Sequence, residues 1–299
     1  MQTIRLLLKT SRPRQWIKNL FVVVPLIFAK QAVFGNVSPY IHAFVAFIVF
    51  VLMSGVVYIF NDLMDLELDR NHPTKRNRPI ASGALGIQAA IGGGITGLAL
   101  GLGMAIYLGK VVFLLSLFYL VLNIAYSLWL KHIAYVDVLT IAVGFLVRIL
   151  TGCFAIGLSV HEISYFLVLC TFLLAFYLGL GKRRHELSLL SGEQDDKNLR
   201  PVLKFYRKHH IDTLLRVLMV VIFAVYTFYT VAPRTREYFG TMGLVFTVPF
   251  VGFGLYRFNL LLTGYDGPES PTDRMVRDLP FMINLVLWAV TVVTVLYVV

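Results

Sequence analysis

Uncharged apolar runs of about 20 residues recur along this chain, the length at which an α-helix crosses the hydrocarbon of a bilayer. Ile41–Phe60, Val111–Leu130 and Leu279–Val299 are three of them, and none carries a charge. A soluble core has no room for so much apolar surface: 58% of the 299 residues are hydrophobic and only 14% charged. The runs are continuous rather than alternating, so their backbone groups must be satisfied inside helices and not in a closed barrel. An all-α polytopic membrane fold follows, expected as one transmembrane domain over residues 1–299, with the bilayer as its surroundings and no role for nucleic acid.

Nine spans are expected, at about 16–34, 41–60, 85–108, 111–130, 133–157, 163–181, 212–232, 239–262 and 279–299. The basic start (Arg5, Lys9, Arg12, Arg14, Lys18) ahead of Leu20–Ala29 is followed by no convincing small-residue cleavage site, so an uncleaved first helix is expected rather than a signal peptide. With loops assigned to alternate sides, 20 of the 27 Lys and Arg fall in the N-terminal segment, the loops about 61–84, 182–211 and 263–278, and Lys131. The opposite loops hold only Lys30, Lys110, Arg234 and Arg236. The positive-inside rule then predicts a cytoplasmic N-terminus and cytoplasmic long loops, with the C-terminus on the other side. Cys153 and Cys170 lie in apolar runs without metal-type spacing and are read as core residues. Gly93-x3-Gly97-x3-Gly101 leaves one helix face nearly bare, a signal for close helix packing rather than chemistry.

The densest polar stretch runs from Asn61 to Gly83, where the second span leaves hydrocarbon. If that helix continues until Pro73 stops it, Asn61, Asp65 and Asp69 are successive i, i+4 neighbours, with Asp62 beside them. Carboxylates stacked this way repel one another and call for a cation. Hard oxygen donors suit Mg²⁺, which leaves coordination positions for substrate phosphates. Lys75, Arg76 and Arg78 follow at once, and such cations suit the phosphate flank of a metal site. A solvated acidic helix end paired with those cations is the plainer alternative. Within the fifth span, Asp137, Gly144 and Arg148 share a face. Arg148 lies where an ionisable group is costly and normally faces a polar cavity, and about 16 Å of helix rise separates it from Asp137, too far for a direct pair. Tyr126 and Lys131 end the fourth span on the cytoplasmic side. Lys182 and Glu186 are i, i+4 neighbours that could form a surface salt bridge.

These motifs resemble the UbiA superfamily of membrane prenyltransferases, and most closely its decaprenyl-phosphate phosphoribosyltransferase branch. The resemblance rests on Arg12-Pro13-Arg14-Gln15-Trp16-Ile17-Lys18-Asn19, on Asn61–Gly83, on Lys131-His132, on Arg148 and on Gly181-Lys182-Arg183-Arg184-His185-Glu186-Leu187. It implies a nine-helix bundle with cytoplasmic loops capping a cavity, in a bacterial inner membrane. It also implies Mg²⁺ on Asn61, Asp65 and Asp69 as the catalytic set. Substrate contacts are expected from Arg14, Lys18, Asn19, Asp62, Lys75, Arg76, Arg78, Tyr126, Lys131, Arg148, Lys182, Arg183 and Glu186. Relatives that prenylate aromatic acceptors carry a second Asp-rich motif after the sixth helix. Lys182, Arg183 and Glu186 stand there in this chain, with Asp195 and Asp196 further on. The implied reaction takes phosphoribosyl pyrophosphate and a polyprenyl phosphate, without need of a general base. Two other readings stay open: prenyl transfer to an aromatic acid such as 4-hydroxybenzoate, and transport or flipping of an anionic lipid. Self-association into a homo-oligomer is compatible with all of them.

Overall fold

A computed structural model describes residues 2–29, 35–190, 201–264 and 269–298, and these are mostly helical, with no strand among them. The helices are α1 (Gln2–Thr10), a 3₁₀ segment (Pro13–Val22), α2 (Pro25–Phe28), α3 (Ser38–Met64), α4 (Leu66–Asn71), α5 (Ile87–Leu108), α6 (Lys110–Leu128), α7 (Val136–Ala155), α8 (Tyr165–Leu190), α9 (Lys208–Val231), α10 (Pro233–Phe239), α11 (Val248–Thr263), α12 (Pro271–Arg277) and α13 (Leu279–Tyr297). Eight helical stretches among the described residues are long and apolar enough to cross a membrane. They match the expected second to ninth spans, and the protein is a multi-pass membrane protein. Over its described residues the first expected span, 16–34, is not one continuous α-helix. Its described part is the 3₁₀ segment, opened by Pro13, and then the four-residue α2, opened by Pro25. Pro25 lacks the backbone N–H that an α-ladder continuing through that point would need. A second correction concerns 182–211, expected as a loop: α8 runs on to Leu190, so Lys182, Arg183 and Glu186 sit on helix. Asp195 and Asp196 lie outside the described residues.

The chain divides into two compact units, 1–128 with 144–163 and 129–143 with 164–299. In the first, α3 packs along α5 on the glycine face read from the sequence. A Cβ on Gly101 would strike Met53 of α3, and farther along the same face one on Gly93 would lie 2.5 Å from Leu7 Cδ2 of α1. Small residues admit this approach; a side chain at either position would have to push Met53 or Leu7 aside. A Cβ on Gly152 of α7 would fall on the Val22 carbonyl oxygen, so α7 rests directly on the end of the 3₁₀ segment. Ala46, Val49, Phe50 and Met53 fill the interior, while Ile91, Ile95, Leu117 and Val121 stay exposed, as lipid-facing positions should. In the second unit Tyr177, Leu180, Ile211, Leu215, Phe258 and Leu262 form the core. Arg257 grips Asp278 through two hydrogen bonds, 2.9 and 2.8 Å, and the same carboxylate caps α13 by accepting from the Phe281 N–H at 2.9 Å.

Candidate active site

In the first unit the acidic stretch keeps its i, i+4 register although α3 and α4 meet at a break. Asp65 sits between them with φ −93° and ψ 13°, yet its N–H donates to the Asn61 carbonyl at 2.9 Å and its own carbonyl accepts from the Asp69 N–H at 2.8 Å. The helical spacing therefore survives the junction. Asp62 and Asp69 are 2% and 1% exposed, and both need cations there. Arg12 donates to Asp62 at 2.5 Å, its guanidinium lying 4.7 Å above the Tyr58 ring. Arg78 Nη1 bridges the pair, 3.1 Å from Asp62 and 2.5 Å from Asp69. Lys75 stands 4.0 Å from Asp69, and Arg76 is exposed. Arg14 and Lys18 are exposed on the 3₁₀ segment.

Two oxygen donors in this stretch are uncommitted. Asn61 Oδ1 is buried and accepts no hydrogen bond, and the Asp65 carboxylate has no ion pair or side-chain hydrogen bond with a described residue. Buried polar atoms are rarely left so. Among the described residues no three His, Cys, Asp or Glu side chains converge as a metal-holding group, because Asp62 and Asp69 turn onto arginines. The Asn61, Asp65 and Asp69 set still fits Mg²⁺ in donor chemistry and spacing: hard oxygens at i, i+4, with one amide oxygen buried and without a partner.

Deeper in the same unit, Arg148 is buried. Its Nε donates to Asn19 Oδ1 at 3.1 Å, Nη1 to the Gly144 carbonyl at 2.9 Å and Nη2 to the Tyr119 hydroxyl at 2.8 Å. The rings of Tyr119, Phe145 and Phe50 lie 4.7, 5.4 and 5.6 Å from the guanidinium carbon. Asn19 in turn donates to Ser54 of α3 at 3.2 Å. All its partners are neutral, so the charge is desolvated without a counter-ion among the described residues.

The second unit builds a different cluster. Arg183 is 2% exposed and donates to Asp137 at 2.7 Å and to Glu186 at 2.5 Å. Asp137 also accepts from the Tyr206 hydroxyl and from the Val138 N–H. That hydroxyl accepts from the Tyr135 N–H at 2.7 Å, and Tyr135 holds φ +65°, a left-handed backbone that bulky residues rarely adopt. Burial and the hydrogen bond to Asp137 push the Tyr206 phenol pKa up from its ordinary value. Lys182 is exposed and Lys131 half-buried, and Tyr126, at the end of α6 in the first unit, is half-buried too.

The sequence profile of the UbiA prenyltransferase family matches residues 22–285. This chain is a member of that family. Among curated relatives, the decaprenyl-phosphate phosphoribosyltransferase of Corynebacterium glutamicum is 28% identical over 98% of this chain and 87% of its own length. The protein of the same name from Mycobacterium tuberculosis is 31% identical over 95% of this chain and 92% of its own. A UbiA homologue from Archaeoglobus fulgidus, solved bound to DMAPP and Mg²⁺, covers all of both chains with a TM-score of 0.69 and 20% identity. The fold of this UbiA protein is therefore the family fold. Residues of its clusters that were not among the expected site residues include Arg12, Tyr119, Asp137 and Tyr206. Arg12 stood in the N-terminal motif, where its charge before an apolar segment was a usable signal. Nothing local marks Tyr119 or Tyr206 among the 15 tyrosines of the chain.

Proposed function

We propose that this UbiA protein transfers the 5-phosphoribosyl group of phosphoribosyl pyrophosphate to a polyprenyl phosphate, such as decaprenyl phosphate, with Mg²⁺ as cofactor and pyrophosphate as the leaving group. Full-length relatives named for this transfer support the reading, together with an acidic helix junction flanked by arginines and lysine. The active face is assigned to the cytoplasmic side of a bacterial inner membrane, on the distribution of Lys and Arg.

Asn61, Asp65 and Asp69 would hold Mg²⁺, which supplies charge neutralisation for a departing pyrophosphate. The rest falls to the chain's own side chains. Arg78 offers a planar fork and Lys75 a point charge to phosphate oxygens. Arg12 keeps Asp62 neutralised, so the helix end can carry several carboxylates without self-repulsion. In the second unit exposed Lys182 and half-buried Lys131 are assigned to phosphate contact. Arg183 is assigned to holding Glu186, because it pairs with the carboxylates of Asp137 and Glu186. In the reaction an oxygen of the lipid phosphate bonds to C1 of the ribose, the C1–O bond breaks, and its electron pair leaves with pyrophosphate. A phosphate monoester is already ionised near neutral pH, so no side chain has to remove a proton. Catalysis is positioning and electrostatics.

Purified protein in detergent, given Mg²⁺, radiolabelled phosphoribosyl pyrophosphate and decaprenyl phosphate, is expected to move label into the lipid phase. Label staying in water, with product formed instead from a prenyl diphosphate and 4-hydroxybenzoate, would replace this reading by aromatic prenylation.

A further inference from the structure

Arg78 occupies the position around which the acidic residues of the first unit are organised. Its Nη1 lies 3.1 Å from Asp62 and 2.5 Å from Asp69. The two carboxylates differ in what else holds them. Asp62 keeps Arg12 at 2.5 Å if Arg78 leaves, whereas among the described residues Asp69 keeps only Lys75, at 4.0 Å. Departure of one guanidinium would therefore liberate Asp69 alone. Asn61 Oδ1 and the Asp65 carboxylate are already uncommitted, and backbone hydrogen bonds of 2.9 and 2.8 Å keep all three residues in one helical register. Two of three metal donors stand ready and the third is taken.

The cation is also the partner that can move. Asp62 and Asp69 are buried on helices, whereas the Arg78 side chain is 27% exposed and springs from extended backbone (φ −65°, ψ 146°) after a short 3₁₀ turn. We propose that Arg78 is an internal counter-ion that competes with Mg²⁺ for Asp69, so that metal binding releases its guanidinium for the substrate's phosphate oxygens. The proposal rests on the Mg²⁺ assignment above and adds an order of events: the cation that neutralises the site when no metal is bound becomes a phosphate ligand once metal arrives. Without metal the carboxylates are spared mutual repulsion. The measured metal affinity is lowered by the fraction of molecules in which Asp69 is already paired.

The test is calorimetric titration of Mg²⁺, without substrate, into detergent-purified full-length protein and its Arg78→Gln and Arg12→Gln variants. Each variant removes one positive charge from the cluster, but only Arg78 touches Asp69. Arg78→Gln is expected to bind Mg²⁺ about tenfold more tightly than wild type, the worth of one charge-assisted hydrogen bond. Arg12→Gln should gain no more than about twofold, as expected for loss of a part-exposed charge. In wild-type protein, Mg²⁺ should speed modification of Arg78 by phenylglyoxal, read by peptide mass spectrometry; this arm decides if a variant fails to fold. Equal tightening in both variants, or none, or no Mg²⁺ effect on Arg78 modification, overturns the counter-ion role while leaving the metal assignment standing. Absence of Mg²⁺ binding to all three proteins overturns both.

Discussion

Arg148 carries a full charge into an apolar helix and meets only neutral partners there: an amide, a carbonyl and a phenol. A charge kept at such a cost argues for function over stability, and the two can be separated. Arg148→Met removes the desolvated charge and keeps much of the volume, so its stability should stay within about 1 kcal/mol of wild type while turnover falls at least tenfold. Thermal melting and label transfer on the same preparations check this. For the acidic set, Asp65→Asn and Asp69→Asn should each cut turnover by about 100-fold or more with melting unchanged, because each removes charge from the proposed Mg²⁺ site. These residues were legible in the sequence because carboxylates at a membrane exit are costly and i, i+4 spacing needs no tertiary information. Their partners were not. Arg12 reaches Asp62 across 50 residues and Arg183 reaches Asp137 across 46, pairings that only the packed fold creates.

At the scale of elements, hydropathy located eight of the nine expected spans because length and apolarity decide them locally. The remaining one, 16–34, is not confirmed as a single span: in its described part a 3₁₀ segment ends at Val22 and Pro25 opens one short turn of helix. The glycine face of α5 was readable, but the tighter contact, Gly152 against the Val22 carbonyl, was not: a lone glycine gives no period to detect. Here the obstruction is backbone, which cannot rotate aside as Met53 can at Gly101. Gly152→Ala should destabilise by about 1–3 kcal/mol, read as a lowered melting temperature, and Gly101→Ala by less. The start of α13 adds a pH dependence. The hydrogen bond from Arg257, with the Phe281 N–H, holds the Asp278 carboxyl pKa below its ordinary value. Its contribution is then complete above the ordinary carboxylate pKa and is lost as pH falls through the lowered one. Acid unfolding of Asp278→Asn should begin at higher pH than that of wild type and lack this component, measured by circular dichroism in detergent.

For the molecule as a whole, the sequence-derived topology can be checked directly. A cysteine placed at Asn77 should react with a membrane-impermeant maleimide only from the cytoplasmic side of inverted vesicles, and one at Ser159 only from the other; reversed labelling would overturn the assignment. Most of the architecture could be read from length and composition, whereas the division into two units, each with its own charged cluster, depends on tertiary contacts. The placement of Arg148 also bears on how the chain is made. A helix with an arginine near its middle enters the membrane against a cost of about 2.5–3.5 kcal/mol. Asn19 and Tyr119, which receive that arginine, both precede it in the chain. Synthesis runs from the N-terminus, so both partners have left the ribosome before α7 is complete. The charge can be met as it arrives, and α7 need not wait for any later segment before settling into the bilayer.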